Sequence, residues 1–427
     1  MGHFAAKDLY RRLGGKIDGM GCRVPFNQAF HSILKALYTE AEADLVVRMP
    51  YGLSDLARLE EAVRLPRPRL EELLEGLAAK GLVLDLWAAD RYCYAPSPFV
   101  IGIFEFTMMR TRGALDTRAW ARLFRDYMDD GSFWAANFGR GEKVSILRAV
   151  PREEALPADG SLEVLDYERA SSFISRATRC AVGICACRHE KLHLGAKICA
   201  APLETCTAFG FAADYLIRHG LAREVDQSEM RELFAASREL GLVLCADNVQ
   251  RGISYVCHCC KCCCSALEGI NRHGYANAVV TSGFVARSAG GACAGCGLCA
   301  KLCPVNAVRL EDGRARVDAE SCLGCGVCVL KCARRALRLE RRARRVIPPE
   351  TIFEKVILQS LEKGTLQNQL FDDPRRLTHA FLRGFVGGFL RLGPAQRALA
   401  SDALRSVFLK TLRAAARARG MGEALDL

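Results

Sequence analysis

Residues 293–304 read CAGCGLCAKLCP and residues 322–333 read CLGCGVCVLKCA. Each run has the spacing C-x2-C-x2-C-x3-C, and the second starts 29 residues after the first. The echo extends past the thiols, because AVRL at 307–310 returns as ALRL at 336–339. One small unit is duplicated. Three cysteines at two-residue gaps wrap a short loop around one face of a metal centre, so a fourth ligand has to come from a distant part of the chain. Zinc ribbons built from CxxC pairs have no use for the third step of that spacing.

With those two runs, residues 285–342 resemble the bacterial-type dicluster ferredoxins. The resemblance implies a small pseudo-twofold fold, two [4Fe–4S] clusters and one-electron transfer. It also implies a crossed ligand set, in which the fourth cysteine of each run serves the other cluster. On this chain that puts Cys293, Cys296, Cys299 and Cys332 around one cluster, and Cys322, Cys325, Cys328 and Cys303 around the other. Gly295, Gly297, Gly324 and Gly326 would let backbone N–H groups approach the sulfurs. Ala333 stands where the family usually has proline, as at Pro304, which bears on the local turn and not on the ligands.

The chain has 427 residues, half of them hydrophobic and a quarter charged, the balance of a folded multidomain protein and not of a disordered one. Of its 22 cysteines, all but Cys22 and Cys93 crowd into 180–332 at spacings too tight for a disulfide ladder, and MGHFAAKDLYRRLGGK lacks the apolar core of a signal peptide. A reducing cytoplasm with thiolates as metal ligands is the expectation. The formal charge is +12, but two four-thiolate cubes would take it to roughly +8 and four to roughly +4. The basic balance is therefore weak evidence for a nucleic-acid partner.

A second cysteine field lies upstream, with Cys185, Cys187, Cys199 and Cys206 followed by CHCCKCCC at 257–264. If that strip ran extended, Cys257, Cys259 and Cys263 would point one way and Cys260, Cys262 and Cys264 the other. One or two further iron–sulfur clusters can be built from these thiols, with a structural zinc site as the competing reading. His189, His193, His258 and His273 lie nearby, and of these only His258 is a ligand candidate, by position. CACR at 185–188, CAAPLETC at 199–206 and CHCCKCCC also resemble runs in a family of multidomain iron–sulfur proteins of anaerobic bacteria that carry a dicluster ferredoxin module. The strip lacks the CCG element of the heterodisulfide-reductase family.

Elsewhere the pattern is scaffolding. Residues 54–94 give two apolar-faced helices, through Leu56, Leu59 and Val63 and then Leu70, Leu73, Leu74 and Leu77, followed by a hairpin. That is the order of a winged helix, yet its second helix presents Glu71, Glu72 and Glu75, which would repel phosphates. Between the cysteine fields, Phe211, Tyr215 and Leu216 mark one helix, and Met230, Leu233, Phe234 and Leu240 another with Ser228 as its N-cap. Neither GxGxxG nor GxxxxGK[ST] occurs, so a bound nucleotide or flavin has no support. LTHAFLRGFVGGFLRL at 377–392 is shorter than the roughly 20 apolar residues of a bilayer span. Leu404, Val407, Phe408, Thr411 and Leu412 form an apolar helix face beside Arg405, Lys410, Arg413, Arg417 and Arg419, fit to pack on the protein or to meet a partner or membrane surface.

The expected fold is multidomain α+β. It comprises a winged-helix-like interaction domain (1–105), a cysteine-rich α/β metal-cluster domain (106–284), the ferredoxin-like 2[4Fe–4S] module (285–342) and a helical C-terminal region (343–427). The expected function is electron transfer, as a component of an oxidoreductase system of an oxygen-shy organism. It would be cytoplasmic, with a redox partner protein, no nucleic acid and peripheral membrane contact as an option. A reductase with an open-site cluster at CHCCKCCC, and a redox-sensing DNA-binding regulator, are the alternatives from other functional classes.

Overall fold

In the computed structural model the described residues are 2–111, 115–156, 164–289, 291–372, 379, 382–384, 386, 390 and 408–414. The chain is mixed α+β and divides into two compact units, one of Met1–Arg140 with Thr351–Leu427 and one of Gly141–Glu350.

The first unit begins with helices α1 (Gly2–Asp18), α2 (Gln28–Leu37) and α3 (Glu40–Arg48). Thr39 and Glu42 close a reciprocal capping box at the start of α3, which satisfies two otherwise orphaned N–H groups. Strand β1 (Ser54–Asp55) and helices α4 (Leu56–Val63) and α5 (Arg67–Lys80) follow, then the hairpin of β2 (Val83–Ala88) and β3 (Arg91–Pro96). The short β1 completes a three-stranded sheet in the order β1-β3-β2. Ala89 and Asp90 both take positive φ in the two-residue turn, as the twist of a tight hairpin requires. The apolar face of α5 buries Leu70, Leu73, Leu74 and Leu77, and leaves Glu71, Glu72 and Glu75 in solvent. FVIGIFEFTMMR is an irregular wide turn leading into α6 (Phe104–Met109), and α7 (Thr117–Asp129) and α8 (Ser132–Phe138) close an aromatic core around Phe99, Phe124 and Tyr127.

The second unit is built on a seven-stranded sheet. Its strands are β4 (Leu147–Val150), β5 (Cys180–Ile184), β6 (Glu204–Phe209), β7 (Ala222–Val225), β8 (Val243–Asp247), β9 (Tyr255–Cys259) and β10 (Val279–Val280). The order is β10-β4-β8-β9-β6-β5-β7, antiparallel throughout except for the β10–β4 pair. One face packs Val182, Leu244, Ala246 and Val256 against Phe173 and Ile174 of α9 (Ala170–Arg176) and Met230 and Phe234 of α12 (Gln227–Glu239). Helix α10 (Ala186–His193) follows β5, α11 (Gly210–Arg218) follows β6, and α13 (Ser265–Asn271) follows the cysteine strip. Two expectations need correction. The N-cap of α12 is Asp226, whose side chain accepts from the Glu229 N–H, and not Ser228; and Leu240 is exposed just beyond the helix.

The duplicated segment lies within this unit. Strand β11 (Phe284–Ser288) pairs antiparallel with β14 (Leu337–Arg341), and β12 (Val308–Glu311) with β13 (Arg314–Val317). The two repeats, AVRL and ALRL, thus enter equivalent strands β12 and β14. Short helices α14 (Leu298–Leu302) and α15 (Val327–Leu330) begin at equivalent left-handed glycines, Gly297 and Gly326. Back in the first unit, α16 (Ile352–Lys363) and α17 (Leu366–Leu370) pack with Leu390 and Leu409, and Phe408 and Leu412 sit against that cluster. The described part of the tail therefore buries its apolar face on its own unit. Leu404, Val407, Arg405, Arg417, Arg419 and most of 377–392 lie outside the described residues. No helix among the described residues is long and apolar enough to cross a membrane.

Candidate metal centres

The two runs of the duplicated segment do cross. Cys293, Cys296 and Cys299 of the first run and Cys332 of the second line one cavity of about 50 Å³, with Leu298, Leu310, Lys331 and Arg334 around it. No ligand atom from a third segment is needed to bring four thiols there. Backbone N–H groups point at the sulfurs in a pattern that follows the repeat. The Ala307 N–H donates to Cys303 Sγ at 3.2 Å and the Ala336 N–H to Cys332 Sγ at 3.3 Å. Gly324 N–H donates to Cys322 Sγ at 3.4 Å, and Ala315 N–H to Cys293 Sγ at 3.4 Å. Such donors favour the thiolate over the thiol. The Gly295 and Ala315 N–H groups accordingly hold the Cys293 thiol below its ordinary range.

The repeats differ in their surroundings. Cys303, Cys322, Cys325 and Cys328 are all buried, whereas Cys296 is exposed and Cys293, Cys299 and Cys332 are half-buried. Burial pushes the Cys325 thiol up to about 12 and the Cys328 thiol higher still. Cover for the buried set comes from the sheet: the Arg152 N–H donates to the Cys325 carbonyl at 3.0 Å, and the Ser282 N–H to that of Leu323 at 3.0 Å. Gly326 packs so closely on Ala155 that a Cβ there would stand 2.7 Å from the Ala155 Cβ. The buried Arg152 side chain is anchored to the Phe234 and Leu242 carbonyls and to Ser237 Oγ.

The second field does not run extended. Strand β9 ends at Cys259, and residues 261–263 turn before α13. The alternation expected for CHCCKCCC therefore stops at Cys259, which exchanges the places of Cys263 and Cys264. Cys260, Cys262 and Cys263 gather with Cys199 so that all four sulfurs lie within 4.8 Å of one another. Cys264 turns back instead to Cys259, with their sulfurs 3.4 Å apart. Cys187 of α10 adjoins both Cys264 and Cys185. Sheet register places Cys206, Cys257 and Cys245 side by side on neighbouring strands β6, β9 and β8. The sequence-predicted thiols thus fall into two sets: Cys199, Cys260, Cys262 and Cys263; and Cys185, Cys187, Cys206, Cys257 and Cys259, joined by Cys264 and Cys245.

Between the sets lies Arg188, 1% exposed. Its guanidinium is held by the Pro202 carbonyl, Thr205 Oγ1 and the His258 carbonyl, and its charge faces Cys185, Cys259 and Cys260. Sequence reasoning passed over this residue; the signal available was an arginine inside the CACR run. His258, the histidine candidate, points to the opposite face of β9, where its ring meets Phe234 at 4.6 Å and Thr207 Oγ1 at 3.4 Å. Burial lowers its pKa, so the imidazole is neutral and belongs to the helix-covered core. Helix α10 also carries HEKLH at 189–193, the H-E-x-x-H spacing of zinc proteases, with the two Nε2 atoms 2.9 Å apart. Among the described residues no third ligand gathers with that pair, and Glu190 is fully buried.

Residues 287–333 match the family model described as a 4Fe-4S dicluster domain. No curated protein and no solved structure matches the chain. A dicluster ferredoxin-type segment inside a mixed α+β protein, with iron–sulfur cofactors and an electron-transfer role, is what the match and the crossed thiols together support.

Proposed function

We propose that the protein relays single electrons between a redox partner protein and centres inside the Gly141–Glu350 unit. The observation that carries this reading is the convergence of Cys293, Cys296 and Cys299 with Cys332, from opposite repeats, around one cavity. Cys322, Cys325, Cys328 and Cys303 form the matching buried set. Bound [4Fe–4S] clusters supply reversible one-electron chemistry, and nothing in the scheme needs a general acid or base. The chain's part is to hold the thiolates, aim N–H donors at them and exclude water from one set. Thiols of the sheet-face set, Cys185, Cys187, Cys206, Cys257, Cys259 and Cys264, are offered as the place for a further cluster.

The half-buried set gives the partner its way in. Leu298 and Leu310 are exposed beside it, each a little over 40%, and Lys301, Arg314 and Arg334 stand near them in sequence or on the same cavity rim. An apolar patch ringed by cations fits an acidic partner surface. The helix pair and hairpin of 54–96 are read as a winged-helix-like module for protein contacts and not for DNA: Arg67 and Arg69 of α5 are tied to Glu71 and Glu72 at 3.4 and 2.6 Å.

Iron and acid-labile sulfide assays on anaerobically purified protein test the reading. About eight of each are expected from the duplicated segment alone, four per cluster. Cys296→Ser and Cys325→Ser should each lower both counts in parallel, and protein without sulfide overturns the proposal.

A further inference from the structure

We propose that Cys199, Cys260, Cys262 and Cys263 form a separate mononuclear site for one thiophilic divalent ion, zinc or ferrous iron, held by four thiolates in a tetrahedron. The distances decide against a cube. Sulfur to sulfur, Cys199 lies 3.7 Å from Cys260 and 3.9 Å from Cys263, and Cys262 lies 3.7 Å from Cys260 and 3.5 Å from Cys263. A tetrahedron with metal–sulfur bonds of about 2.3 Å has edges of about 3.8 Å. In a cube each thiolate binds a different iron, so the sulfurs stand further apart than those that share one ion. The thiols of the duplicated segment surround a cavity; these four converge on a point.

Charge supplies an independent observation. Arg188 is buried, its Nε has no hydrogen-bond partner, and no carboxylate forms an ion pair with it among the described residues. A buried cation is costly unless negative charge faces it, and the groups facing it are cysteine sulfurs, with Cys260 hydrogen-bonded to the guanidinium. Metal binding fixes thiols as thiolates and so holds negative charge beside the guanidinium. Four thiolates around a divalent ion carry a net charge of about −2, which a cation beside Cys260 partly offsets.

The site is also placed to matter for the relay. Ala201 and Leu242 pack on Cys260 and Cys263, while a Cβ placed on the neighbouring Gly241 would come within 3.7 Å of Val327, between Cys325 and Cys328. Lys261 of the same turn donates to Asn306 Oδ1 at 2.6 Å, three residues after Cys303. One ion therefore locks the 260–263 turn against the loop that bears a thiol of the buried set.

Metal and sulfide stoichiometry on the full chain tests this separately from the relay. Iron–sulfur clusters contain equal iron and sulfide, so a mononuclear site adds one metal per chain, counted as iron plus zinc, in excess of acid-labile sulfide. Zinc in the excess identifies zinc; excess iron giving a high-spin ferric signal on oxidation identifies iron. Cys199→Ser and Cys262→Ser, both half-buried, should abolish the excess and leave sulfide unchanged. Because the wild-type excess is itself diagnostic, misfolding of the variants does not shield the proposal. No excess in the wild type, or loss of four irons with four sulfides in the variants, overturns it. Absence of sulfide with the excess retained would sink the relay and keep this site.

Discussion

The two cysteine fields solve the same problem by different means. Around 293–332 the thiols are spaced by a repeat, surround a cavity and receive backbone N–H groups at 3.2–3.4 Å. Around 199–263 they touch one another at 3.5–3.9 Å, and the compensating charge is a single buried side chain, Arg188. Backbone donors come with the loop and tolerate changes of side chain. A buried arginine does not, and its value depends on whether the metal is present.

The sharpest way to break the comparison is Arg188→Met. In metal-loaded protein the substitution leaves thiolate charge unpaired in the interior and should destabilise by about 3–5 kcal/mol. In metal-free protein, where less thiolate charge faces the guanidinium than when a metal fixes all four thiols as thiolates, the same change should cost less. Denaturant unfolding of both forms measures the difference; an equal loss in each would mean that Arg188 serves packing alone.

Within the duplicated segment the contrast is one of cover. Gly297 and Gly326 occupy equivalent positions with φ of +75° and +79°, so alanine costs about 1–2 kcal/mol of backbone strain at either. Only at Gly326 does the new Cβ also collide, 2.7 Å from Ala155 Cβ and 3.2 Å from Leu339 Cδ1, against 3.5 Å to Leu310 at Gly297. Gly326→Ala should therefore be worse than Gly297→Ala by a further 1–3 kcal/mol or so, read as the difference in unfolding free energy. Equal effects would show that the sheet does not press on the second repeat.

The smallest effect concerns thiol reactivity in metal-free protein. Alkylation follows the thiolate fraction. Cys293, held low by two N–H groups, should react faster than Cys325 and reach its plateau at a lower pH. Cys325, pushed up to about 12, should react slowly and gain about tenfold per pH unit between pH 7 and 9. Mass spectrometry of the labelled peptides gives both rates, and matching profiles would erase the distinction between the two sets.

The duplicated segment was legible because its information is local: spacing fixes which thiols share a loop, and the AVRL/ALRL echo fixes the strands. The second field was only partly legible. Its thiols could be named, but the grouping depends on where β9 ends. A single change from strand to turn after Cys259 sends Cys263 to one set and Cys264 to the other. Cys245 and Arg188 escaped notice because their roles arise from register across β8 and β9 and from burial, neither of which a linear pattern reveals. The same holds for His258, which shares the strip with the thiols and faces the other side of the sheet. Asp226, not Ser228, caps α12 because the helix starts a residue or two earlier than its apolar spacing suggests.

The central claim is that crossed thiols at 293–332 hold two iron–sulfur clusters close together, one near the surface and one under the sheet. Electron paramagnetic resonance of anaerobic, dithionite-reduced protein tests it most directly. The predicted spectrum shows two magnetically coupled reduced [4Fe–4S] centres, with Cys296→Ser and Cys325→Ser each removing the coupling. A reduced protein that gives no such signal, or one whose signal both substitutions leave intact, contradicts the account.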